Sequence, residues 1–128
     1  MALAKGTFTV KLATLLADPH AEFIGRKSLD KQFAGGLEAV SHGTMMAFMT
    51  ETQGSAGYVA IEKISGRLDG KSGDFLLQHW GILDLGEPDH RVSVIPNSGT
   101  GELVGLTGDM KIIIADGLHS YEFDYKLP

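Results

Sequence analysis

The sequence predicts an all-β fold, a sandwich or a barrel, carried by one domain over residues 1–128. Three observations predict it. Eight β-rich runs recur at fairly even spacing between turn signals, the pattern of antiparallel sandwiches and barrels. Glycine supplies 17 of 128 residues and is scattered between those runs instead of gathered in a linker, as turns, bulges and bends require. The last two runs sort into an apolar, aromatic face and a mostly charged face, as a half-buried antiparallel pair does.

The runs, in order, begin with Gly6 to Leu16, rich in Thr, Val and Phe and broken by Asp18-Pro19-His20. Ala21 to Phe33 alternates through Ile24, Arg26 and Ser28 and ends at Gly35-Gly36. Leu37 to Thr50 is apolar and Met-rich, with Met45, Met46 and Met49 read as fillers of gaps in a core. Ser55 to Leu68, Asp74 to Gly81, His90 to Pro96, Glu102 to Ala115 and Leu118 to Leu127 complete the set. Their separators include Asp69 to Gly73, Gly86 to Asp89, Asn97 to Gly101 and Asp116-Gly117. No helix of ten or more residues is predicted, although Leu12 to Ala17 or Phe23 to Phe33 could form a short one.

Two hairpins fix relative positions. A type I′ turn needs positive φ at both central residues, which makes Asp116-Gly117 a strong two-residue turn. Ala115 then faces Leu118, and Ile114, Ile112 and Met110 oppose His119, Tyr121 and Phe123 on one face, with Gly108 opposite Tyr125. Lys111 opposes Glu122 on the other face. Around Asp69 to Ser72 three turn centres are open, and each puts Glu62 and His79 on the same face, opposed or diagonal.

Composition excludes several classes of function. A formal net charge of −5 without a run of Lys and Arg argues against nucleic acid. No cysteine is present, so thiol catalysis and thiolate metal sites are excluded. The five histidines show no close ligand spacing, so no metal is expected. No run of about 20 apolar residues predicts a membrane helix, and no signal-peptide pattern opens the chain, which makes a cytoplasmic location the expectation.

Four stretches carry a family resemblance. They are Gly57 to Lys63, Gly66 to His79, Val94 to Leu103 and Gly117 to Leu127. Together and in this order they resemble the bacterial family called domain of unknown function 3224. Asn97 stands where the family's Pro-Gly-Ser-Gly-Thr-Gly form has glycine, and asparagine tolerates the left-handed turn. The resemblance implies an eight-stranded antiparallel barrel like that of allene oxide cyclase. It implies no reaction, since fold is not function.

The candidate site residues are Glu62, His79, Glu102, His119, Tyr121 and Tyr125. Glu62 could orient His79 as an acid, a base or a ligand anchor; the plainer alternatives are a satisfied structural pair or residues on the outer face. His119, Tyr121 and Tyr125 could bond a ligand, or pack as core residues whose polar tips find backbone partners. Glu102 shares parity with Val104, Leu106 and Met110 and is expected at a barrel end, as a site residue or bonded to the adjacent glycine-rich turn. The Asn97 to Gly101 segment lacks a following helix and an adjacent lysine, so it reads as a rim turn and not a phosphate loop. The preferred reading is a barrel that holds a small, largely apolar organic ligand without a cofactor. The alternatives are a cofactor-independent isomerase or cyclase using Glu62 and His79, and a structural module with a filled core. A homo-oligomer is expected through an outer patch of Leu103 and Ile113.

Overall fold

A computed structural model describes residues 2–128. Eight strands run in chain order around one closed antiparallel barrel. They are β1 (Ala2–Thr14), β2 (Gly25–Gly35), β3 (Leu37–Met49), β4 (Ala56–Leu68), β5 (Lys71–Asp84), β6 (Glu87–Val94), β7 (Thr107–Ala115) and β8 (Leu118–Lys126). Closure comes from β1 pairing β8, with Gly6 opposite Tyr121 and Phe8 opposite His119. No helix is long and apolar enough to cross a membrane among the described residues.

Side-chain alternation decides which residues face inward. In β2 the inward set is Leu29, Lys31 and Phe33. The alternation through Arg26 and Ser28 therefore marks the outer face of the strand, and neither predicted short helix forms. Of the three methionines of the third run, only Met45 is half-buried; Met46 faces outward, and Met49, of inward parity but at the end of the strand, is exposed.

Turn chemistry sets the registers. Asp69-Gly70 and Asp116-Gly117 carry positive φ at both residues, as type I′ turns require. The terminal hairpin has the predicted register throughout, Ala115 opposite Leu118 to Gly108 opposite Tyr125. The β4–β5 turn takes the tightest of the three open registers, pairing Leu68 with Lys71. A third two-residue turn, Leu85-Gly86, replaces the expected Gly86 to Asp89 loop, so β6 begins at Glu87 and contains Pro88. Proline is tolerated there because β6 pairs β7 only at Ser93 and Asp109, leaving the earlier part of β6 without a ladder on that side.

The barrel has one plugged end and one open end. At the plugged end the long β6–β7 connection folds inward through a single 3-10 turn, Gly101–Leu103. It drives Leu103 and Leu106 beside Leu37, Leu68, Phe75 and Phe123, all nearly without solvent contact. The seventh run accordingly begins at Thr107, not Glu102, and Leu103 is core instead of outer surface. Ile113 is half-buried, so the expected Leu103/Ile113 patch does not exist. At the open end the same inward parity carries partly exposed residues. Tyr121 and Phe123 are buried as expected, Ile112 and His119 are half-buried, and Ile114 is 67% exposed because it stands at the mouth. Lys111 and Asp124 are exposed; the cation nearest Glu122 is Lys5 at 3.9 Å.

Candidate functional site

Four polar side chains are buried inside the barrel among the described residues: Lys31, Ser41, Glu62 and His79. They meet. Glu62 stands halfway along β4, with Gly43 of β3 directly opposite. Gly43 has no side chain to fill that space; a Cβ there would lie 2.7 Å from Glu62 Cα and 2.2 Å from the Ile61 carbonyl oxygen. The Glu62 carboxylate accordingly crosses β3 and reaches β2, where Lys31 Nζ donates to Oε2 at 2.8 Å. Ser41, the β3 partner of Lys31, donates to Oε1 at 2.8 Å. His79 Nε2 meets Oε2 at 2.5 Å from β5, in the diagonal arrangement that the Asp69-Gly70 register dictates.

Charge follows from these contacts. Burial pushes the Glu62 carboxyl up, but the His79 hydrogen bond and the charge of Lys31 outweigh it and hold it down at about 2. Glu62 is thus an ionised acceptor at neutral pH. His79 must donate through Nε2, which leaves Nδ1 as the lone pair of the neutral ring. Lys31 Nζ also lies over the Phe8 and Phe33 rings, 5.0 and 5.8 Å from their centroids, where the ring faces favour a cation.

A cavity of about 460 Å³ opens above this cluster, where β6 and β7 part beyond the Ser93–Asp109 pair. Its walls include Ala56, Tyr58, Leu83, Val92, Ile112 and Ile114, with Pro88 and His90 on the β6 side. Val92 is the strand partner of His79, and Gly81, also in the lining, is the next inward residue on β5. The cluster side chains themselves do not line the cavity; His79 lies one inward position below Gly81. Tyr58 folds across Gly81; a Cβ at that glycine would sit 2.1 Å from the tyrosine ring. Burial raises the Tyr58 hydroxyl above its ordinary pKa.

The structure brings together Glu62 and His79 and leaves the other candidates apart. His119 packs on Phe8 with ring centroids 5.3 Å apart. Tyr121 is anchored to backbone, accepting from the Leu37 amide at 2.9 Å and donating to the Ala34 carbonyl at 2.7 Å. Tyr125 bonds Asp69 at the plugged end at 2.5 Å, and burial with that carboxylate pushes its hydroxyl up to about 12. Glu102 is exposed on the 3-10 turn and accepts from the Ser72 amide of β5 at 3.0 Å, instead of facing the interior. Sequence reasoning missed Lys31, Ser41, Tyr58 and His90. The signal for Lys31 was present: a lysine two residues from Leu29 and from Phe33 lies on an apolar stripe. Among the described residues no group of three or more His, Asp or Glu is placed to hold a metal ion.

The molecule is thus an eight-stranded antiparallel barrel, plugged at one end, with a buried Lys31–Glu62–His79 cluster inside it. It belongs to the family described as protein of unknown function (DUF3224), whose model matches residues 4–125. The chain is 46% identical to a protein of unknown function of that family from Shewanella oneidensis MR-1, for which a crystal structure exists. The match covers 100% of this chain and 98% of the other, with a TM-score of 0.93. No curated protein matches the chain.

Proposed function

We propose that the barrel binds a small, largely apolar organic molecule in its open mouth, its polar end turned toward the Lys31–Glu62–His79 cluster. The observation that carries this reading is the apolar cavity of about 460 Å³ whose lining residue Val92 is the strand partner of His79. Ligand pockets are mostly apolar, with a few convergent polar groups, and typically span about 300–1,000 Å³. The cluster is a poor device for stability, since burying two charges costs several kcal/mol that their attraction only partly returns. A role in recognition accounts for its presence. Of the six candidates, Glu62 and His79 stay in this reading, joined by Lys31, Tyr58 and His90, while the His119 ring packs on Phe8. Tyr121, Tyr125 and Glu102 serve the frame, because their polar atoms are engaged by backbone or by Asp69.

The test uses N-phenyl-1-naphthylamine, a neutral apolar fluorophore. The parent should bind it saturably with one dominant site. Ala56→Trp, which fills the mouth, should abolish that phase while the protein stays folded. Absence of saturable binding, or equal binding by the filled variant, contradicts the proposal.

One observation favours a second reading, acid–base catalysis without a cofactor. An ionised carboxylate holding an imidazole by Nε2 makes Nδ1 a base. Such a base takes a proton from carbon next to a carbonyl and returns it to another carbon, an isomerisation with no net redox change. With 2-cyclohexen-1-one in deuterated buffer, proton NMR should show exchange with the parent and none with His79→Ala. Equal rates for both refute this reading. We also propose that the barrel self-associates, and the burial of Leu103 means that another surface must do it.

A further inference from the structure

The outer wall of the barrel is strongly two-sided. On β1, β7 and β8 the outward positions include Lys5, Thr9, Lys11, Lys111 and Asp124, the polar side of an ordinary half-buried sheet. The central outward positions of β3, β4 and β5 hold no charge at all. Met46, Val59 and Trp80 form one cross-strand row; Phe48 and Ile82 flank Gly57 in the next; Ile61 stands between Thr44 and Gln78 in the row below. These six apolar side chains are between 37% and 53% exposed. Phe23, from the β1–β2 loop, extends the patch by an edge contact with Phe48 at 6.1 Å.

Size decides what this patch is for. The aromatic members bury about 150–250 Å² each when covered, and the aliphatic ones less. Half-exposed, they and Phe23 present roughly 600 Å² together, at the top of the ~300–600 Å² of the largest patch on a typical monomer. That approaches the ~800 Å² that one partner gives to a standard interface. With no charge in it, the patch offers nothing to a basic or acidic partner. A second copy supplies a matching uncharged wall, and two sheets pack well face to face. The border carries both signs and so suits a second copy of itself: Arg26 and Arg91 stand beside Met46 and Trp80 in the central row, Asp84 and Asp89 lie toward the mouth, and Lys63 lies at the other end, 3.7 Å from Asp74.

We infer that the outer face of β3, β4 and β5 docks a second copy of this chain, wall against wall. The inference rests on the self-association proposed above and is independent of what the mouth holds. Sedimentation velocity over a concentration series tests it. The parent should sediment at twice its 13.7 kDa mass. Ile61→Glu and Ile82→Lys, at half-exposed positions, should each sediment as monomers with an intact cooperative melt, and Lys11→Glu on the opposite wall should remain dimeric. A monomeric parent overturns self-association itself. A dimeric parent whose Ile61→Glu and Ile82→Lys variants stay dimeric keeps self-association and overturns this wall. A monomeric parent that floats with neutral phosphatidylcholine vesicles overturns the inference in favour of a lipid surface.

Discussion

Glu62 Oε2 lies 2.8 Å from Lys31 Nζ although β3 runs between their strands, because that strand carries glycine at position 43. The contact depends on an absent side chain. Gly43→Ala would drive a methyl group against Glu62 and the Ile61 carbonyl, which a closed barrel has little freedom to relieve. Urea denaturation should show a loss of about 1–3 kcal/mol, the usual cost of overpacking. A loss near zero would mean that the wall yields and that Gly43 does not shape the cluster.

The ion pair should show strong coupling. Lys31→Met leaves the Glu62 carboxylate buried with only Ser41 and His79, which should cost about 3–5 kcal/mol. Lys31→Met/Glu62→Gln removes both charges and should be more stable than Lys31→Met alone. Strictly additive losses in the double-mutant cycle would contradict direct interaction.

Acid should weaken the protein through Glu62. Its carboxyl is held at about 2 in the folded state, below its ordinary 4.5, so the unfolded chain binds the proton more readily. The stabilisation is fully present above the ordinary carboxylate range and is lost as pH falls toward 2. Between pH 5 and pH 2 the parent should lose roughly 2–3 kcal/mol more than Glu62→Gln. Parallel pH profiles would contradict a lowered Glu62.

Tyr121 holds the β2–β3 corner by its hydroxyl. Tyr121→Phe leaves the Leu37 amide without its partner and should cost about 1–3 kcal/mol. Tyr121→Ala also opens a cavity beside Phe33 and should cost about 3–5 kcal/mol. Equal melting of parent and Tyr121→Phe would show that the hydroxyl is dispensable.

What could be read from the sequence depended on how local the determinant is. Asp116-Gly117 sets φ at two adjacent residues, and the whole register from Ala115–Leu118 to Gly108–Tyr125 follows from it. Glu62 and His79 could be placed on one face because all three available turns preserve parity. Leu85-Gly86 was hidden because leucine rarely takes positive φ and Pro88-Asp89 imitates a turn; the turn is held from outside, by Ser55 Oγ on the Leu85 amide. Leu103 was misplaced because an inward 3-10 turn interrupts the period-two pattern at Glu102. Lys31 joined Glu62 only through closure of the sheet around Gly43, a relation between three strands that no pairwise pattern contains.

The central claim is that the open mouth, and not the outer apolar wall, receives a small apolar ligand. Intermolecular nuclear Overhauser effects from bound N-phenyl-1-naphthylamine to methyl-labelled protein test it most directly, because isoleucine and valine line both surfaces. The account predicts cross-peaks to Ile112, Ile114 and Val92 in the mouth, lost in Ala56→Trp. Cross-peaks to Val59 and Ile61 alone would contradict it.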